Sequence, residues 1–465
     1  MIARIIFWLL LALIALAPLP FGSNRPWSWS LLALGSAALL GVWTLAALVN
    51  PTLHTALWRH YRPLAVGFGL FILWTIFQAM PFSPVGWHDP AWQDASNALG
   101  TPLPGAISLS PDSSLTGVMR LLSYGIVFWL GLQLCRHRRR ALILWWAICL
   151  TVTAYAVYGL VVQLTDSRTI LWFAKWSYQS SLTSTFVNRN HFATYVGLGL
   201  LVTLALITEE VRNAAQHGLS TRTGLIYFLD HMRPPLFLLM VIFVVLATAL
   251  LLTHSRAGAL CAAFGVATLI GALALSQPFR SRTLVWFGGI IVLVGFAILF
   301  VSGNTIWSRM GDLVENVGAR EQVYGIALRA IADRPWLGHG LGTFAMIFRL
   351  LRGEGFGVNE AIYDVAHNSY LEMAVEAGVP AALLLYALLA VMTAVFVRGA
   401  KTRRHDAIYS CTGLAATMLV GAHSLVDFSL QIPAIAATYF LMAGAAYAQS
   451  WRHEERVGAV AQRRE

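Results

Sequence analysis

The chain has 465 residues, 58% of them hydrophobic and 11% charged, with a mean hydropathy of +0.66. Soluble domains carry about a quarter charged residues, so the solvent for this chain is a bilayer and a separate water-soluble domain is excluded. The net charge of +11 lies in short clusters between apolar runs, which orients a membrane protein and argues against a nucleic-acid partner.

Apolar runs long enough to span a membrane lie near residues 3–19, 27–48, 62–80, 114–135, 141–163, 190–208, 235–253, 257–276, 283–302, 369–397, 407–427 and 433–449. The pattern predicts an all-α polytopic membrane protein with about twelve transmembrane helices. The first run resembles a secretory signal, but Pro18 follows the small-residue site directly and predicts an uncleaved span. Cys135, Cys149, Cys261 and Cys411 show no CxxC or zinc-like spacing, which predicts neither a disulfide framework nor a structural metal.

Alternate connections hold most of the Lys and Arg: Arg59 and Arg62, CRHRRR at 135–140, Arg212, Arg222 and Arg233, Arg280 and Arg282, RGAKTRR at 398–404, and the tail from Arg452. That bias places them, and both termini, in the cytoplasm. The opposite connections include long ones at 81–113 and 303–366 and a shorter one at 164–188, facing the periplasm in a Gram-negative cell. Within the longest, REQVYGIALRAIADRPW reads as helix ended by Pro335 and followed by the turn-rich GHGLG at 338–342, which predicts a partly helical cap. The chain divides into N-terminal spans (1–234), a central region with the large loop (235–390) and C-terminal spans with a cytoplasmic tail (391–465).

Four arginines break the positive-inside pattern: Arg120, Arg189, Arg256 and Arg320 all map to the outer side. STFVNRNHFATYVG (184–197) places Asn188, Arg189 and His191 at the opening of a span, and THSRAG (253–258) puts His254 and Arg256 in a tight hairpin at the outer bilayer edge. VAHNSYLEMAVEAGVPA (365–381) carries His367 and Asn368 at the mouth of the next span, with Glu372 and Glu376 one and two turns further in. Each has an ordinary reading. An arginine at a helix end snorkels to headgroups, a lone histidine is a satisfied interfacial residue, and Glu372 and Glu376 pair with Arg256 or Arg189 inside the bundle. Likewise Trp87, Trp92, Trp172, Trp176, Trp307 and Trp336 read as an aromatic belt. Convergence of arginine, arginine and histidine at one depth resists that reading. Guanidinium forks suit a diphosphate, and a histidine takes a proton at neutral pH, which fits glycosyl transfer from a lipid diphosphate. With no DxD-like pair of acids, the expected mechanism uses no metal or other cofactor.

TFVNRNHFATY, THSRAG, RPWLGHGLGTF (334–344) and HNSYLEMAVEAGVP, in that order, resemble the O-antigen ligase and polysaccharide polymerase superfamily of bacterial membrane glycosyltransferases. The resemblance covers the span layout and is sharpest from 234 to 386. It implies a GT-C-like fold in the bacterial inner membrane and an undecaprenyl-diphosphate-linked glycan as donor. Transfer would invert the anomeric carbon on the periplasmic face. By the same resemblance His367 is the base and Arg189, Arg256 and Arg320 bind diphosphate; Arg120, Asn188, His191, His254, Asn368 and Glu372, in the same outer segments, are read as supporting residues. The acceptor is left open between a lipid A core sugar and a growing polysaccharide. A competing reading is a multi-span transporter of a small anion or lipid-linked sugar, which would keep charges near the bilayer midplane.

Overall fold

A computed structural model describes residues 1–53, 58–216, 234–276, 310–352, 363–403 and 406–451. Its helices in chain order are α1 (Ile2–Leu16), α2 (Pro26–Val49), α3 (Trp58–Ala79), α4 (Pro90–Leu99), α5 (Pro111–Leu134) and α6 (Arg138–Leu164). After them come α7 (Arg189–Gln216), α8 (Pro234–Leu252), α9 (Arg256–Leu275), α10 (Met310–Asp333) and α11 (Phe344–Leu351). The last four are α12 (Ser369–Ala377), α13 (Val379–Thr402), α14 (Ala407–His423) and α15 (Pro433–Gln449). One small antiparallel hairpin, β1 (Thr169–Ile170) with β2 (Phe173–Ala174), lies between α6 and α7.

Eight described helices, α2, α3, α5 to α9 and α13, are long and apolar enough to cross a membrane, and α1 and α14 are shorter apolar helices. The chain is a multi-pass membrane protein, and apart from the β1–β2 hairpin the regular structure of its described residues is helical. In lipid every backbone polar group needs an internal partner, and helices provide one for each. Prolines open α2, α4, α5, α13 and α15 in the first turn, where an amide has no intrahelical acceptor to lose. The predicted span 283–302 lies outside the described residues.

α7 and α15 form the centre. The spanning window of α7 is 89% buried, against 22% for α13 at the edge, and every α15 position except Phe440 is buried. Close approach comes from small residues: a side chain at Gly258 of α9 would collide with the Ala193 methyl of α7.

Two helix ends differ from the hydropathy reading. The apolar run at 369–397 is not one span: the chain turns at Gly378, φ +81°, into α13, whose first turn holds Pro380. Glu372 and Glu376 therefore sit on the separate short helix α12, ahead of the span and not inside it. The run at 407–427 ends as a helix at His423, and residues 424–432 form a turn that carries Asp427.

Candidate functional site

Three segments meet at one end of the bundle: the start of α7, the turn 424–432, and the loop entering α12. Asn188 opens α7 by accepting the Asn190 amide on its side-chain oxygen at 2.8 Å. Asn368 caps α12, accepting from the amides of Tyr370 and Leu371 at 3.0 and 3.1 Å. Ser255 caps α9 by accepting the Gly258 amide, and its hydroxyl donates to Asn190 at 2.8 Å, tying the THSRAG hairpin to the head of α7.

At the centre is Asp427, a fully buried carboxylate. Its Oδ1 accepts the Phe428 amide at 2.8 Å and lies 3.5 Å from His367 Nδ1 and 3.9 Å from His191 Nε2. At these lengths both histidine contacts are electrostatic rather than formed hydrogen bonds. The Phe428 ring stands edge-on to both imidazoles, with centroids 4.5 Å from His191 and 5.1 Å from His367. Burial alone would raise the Asp427 carboxyl, but His367, the charge of His191 and His423, and the Phe428 amide outweigh it and hold the group ionised. His423 Nδ1 in turn meets the Thr194 hydroxyl at 2.6 Å and the Ser429 hydroxyl at 2.9 Å.

His367 differs from its two neighbours in access. Its side chain is 22% exposed, whereas that of His191 is 6% exposed. It also adopts φ +51°, a left-handed backbone that non-glycine residues seldom hold unless their surroundings impose it. One ring nitrogen faces a buried carboxylate while the side chain stays partly exposed, an arrangement that suits an oriented base.

The four arginines named from the sequence have different surroundings. The Arg189 guanidinium lies 5.3 Å over the Tyr178 ring, and its buried Nε has no hydrogen-bond partner among the described residues. Arg256, at the first position of α9, is exposed, as is His254 with φ +53° in the hairpin before it. Arg320 falls on α10, and its side chain lies outside the described part. Arg120 of α5 donates to the Gln431 carbonyl and stacks 5.0 Å over Trp29. Glu372 and Glu376 do not pair with Arg256 or Arg189. Their carboxyls accept backbone amides, Ala366 to Glu372 at 2.8 Å and Phe344 to Glu376 at 3.1 Å. Burial pushes both upward in pKa, and for Glu372 the charge of Glu376 adds to it.

Sequence reasoning missed Asp427, His423 and Phe428. The available signal was that Asp427 is the sole acidic residue in 407–449, since an ionisable group amid apolar sequence is a candidate by default.

With this geometry in view, residues 241–386 match the family described as O-antigen ligase. That stretch of the chain is similar to an O-antigen ligase domain. The O-antigen ligase match contains Arg256, Arg320, His367 and Glu372, and leaves Arg189 and Asp427 outside it. The resemblance read from the four motifs is thereby supported for residues 241–386, which hold the last three of them. No curated protein matches the chain significantly.

Proposed function

We propose that the protein is a metal-independent, inverting glycosyltransferase of the O-antigen ligase type with about twelve spans in a GT-C-like arrangement. It moves a glycan from an undecaprenyl-diphosphate donor to an acceptor sugar hydroxyl, a lipid A core or a growing polysaccharide, on the periplasmic face of the inner membrane, with both termini cytoplasmic. The observation that carries this reading is the 3.5 Å approach of partly exposed His367 to the buried Asp427 carboxylate at the edge of an O-antigen ligase domain.

In this reading Asp427 holds the imidazole with Nδ1–H toward itself, leaving the Nε2 lone pair for the acceptor hydroxyl. His367 takes the hydroxyl proton as the acceptor oxygen bonds to the anomeric carbon. The bond from that carbon to the diphosphate oxygen breaks, and its electron pair leaves with the diphosphate. Arg189, Arg256 and Arg320 neutralise the charge that builds there, and guanidiniums do so bidentately without losing a proton. His191, His254, Asn188 and Asn368 shape and cap the segments that deliver these groups.

The test is transfer by purified protein from an undecaprenyl-diphosphate-linked glycan, with and without lipid A core, in EDTA. Product that requires the core marks a ligase, and longer lipid-linked chains without it mark a polymerase. Loss of either product in EDTA removes metal independence. No transfer to either acceptor removes the transferase reading and leaves the transporter.

A further inference from the structure

We infer that Glu372 is a positioning residue for the base, locking the segments that carry His367 and Asp427 into register. This rests on the transferase reading above. His367 and Asp427 are 60 residues apart, and their 3.5 Å contact is too long to hold the two segments together by itself. Buried Glu372, one turn into α12, supplies the tie. One carboxyl oxygen accepts the amide of Ala366, the residue preceding His367, at 2.8 Å. The Gln431 side chain, on the turn that bears Asp427, lies near enough to the same carboxyl to draw its pKa back down. Arg120 closes the far side by donating to the Gln431 carbonyl. A parallel stitch runs from Ser369, whose amide donates to the Ser424 carbonyl at 2.9 Å and whose hydroxyl donates to the Asp427 carbonyl at 3.2 Å. The left-handed backbone of His367 is thus fixed by a hydrogen bond on its N-terminal side and by the α12 cap on its C-terminal side. Glu372 does not touch the imidazole, so its influence passes through Ala366 and Gln431.

The experiment compares Glu372→Ala and Glu372→Gln in full-length protein in detergent, with a defined undecaprenyl-diphosphate oligosaccharide as donor and thermal melts to confirm folding. For Glu372→Ala we expect kcat to fall about 100-fold at unchanged donor KM, as for a reacting group displaced by about 1 Å. Glu372→Gln, whose amide oxygen still accepts the Ala366 N–H, recovers most of that loss. Normal kcat in the alanine variant, or a glutamine variant as poor as alanine, overturns the inference. If Glu372→Ala does not fold, Gln431→Ala removes the same tie from the other side and must lower kcat in the same sense. A readout independent of transfer is carbethoxylation of His367 by diethyl pyrocarbonate, followed on its peptide by mass spectrometry. The rate must rise in Glu372→Ala as the ring leaves Asp427, and an unchanged rate sinks the inference. A changed rate in a protein with no transfer activity sinks the proposed function instead.

Discussion

Among the described residues two buried aspartates each meet a histidine, and their surroundings differ in kind. Asp89, N-cap of α4, binds the Arg334 guanidinium at 2.9 Å and His339 Nδ1 at 3.2 Å on one oxygen, and accepts the Ala91 amide at 3.1 Å on the other. His339 spends its second nitrogen on the Ala330 carbonyl at 3.2 Å, and Arg334 also reaches the carbonyls of Ile107 and Trp87. Every group is spoken for, so the cluster staples the loop before α4 to the turn after α10. Among the described residues no arginine contributes a fork to Asp427 and its Oδ2 has no hydrogen-bond partner, while His367 stays partly exposed. Closed satisfaction marks a structural site, whereas a carboxylate held ionised beside an accessible imidazole marks a reactive one.

That contrast can be broken by experiment. Asp427→Asn leaves the packing but removes the charge that orients His367, so transfer should fall on the order of 10³-fold with the melting behaviour nearly intact. His367→Ala should abolish transfer in a protein that still inserts and folds; near-normal rates in either variant would remove the base assignment. Asp89→Ala should do the reverse, costing about 3 kcal/mol by stranding a buried guanidinium, with kcat per folded molecule unchanged. A denaturation series read beside an activity titration separates these two patterns.

Arg256→Lys should lower turnover about tenfold, because a point charge does not replace a fork on a diphosphate. Kinetics with varied donor check it, and wild-type rates would argue against bidentate contact. The smallest effect expected is a pH dependence. Burial raises the Asp89 carboxyl, but His339, the Ala91 amide and Arg334 outweigh it and set the folded pKa below the ordinary value of about 3.9. The staple's contribution is then fully present above that value and fades as pH falls through the lower folded value. Acid melts of the wild type should lose stability there, and Asp89→Asn should not.

The bundle was legible because its signal is redundant. Each span repeats the same apolar message over about twenty residues, and errors at the ends matter little. Arg189 and Arg256 drew notice because cations at the wrong end of a charge-biased chain need a reason, and His367 through the motif HNSYLEMAVEAGVP that it opens. Asp427 was not, since one acid averaged over an apolar window vanishes and its partner lies 60 residues earlier. Glu372 was visible as a residue but misplaced: hydropathy runs on through Gly378 without registering that the backbone turns there. Its hydrogen-bond donor is the Ala366 backbone amide, which no side-chain pattern announces.

The near-complete burial of α7 bears on how the protein meets different membranes. Helices that face lipid answer changes in hydrocarbon thickness by tilting or by gathering lipid around them. α7 touches almost none, and it carries Arg189 and His191 at its head. Thickness fluctuations should be absorbed by α2, α3, α8 and α13 at the rim, while the depth of the candidate centre stays referenced to a mast that the bilayer does not grip.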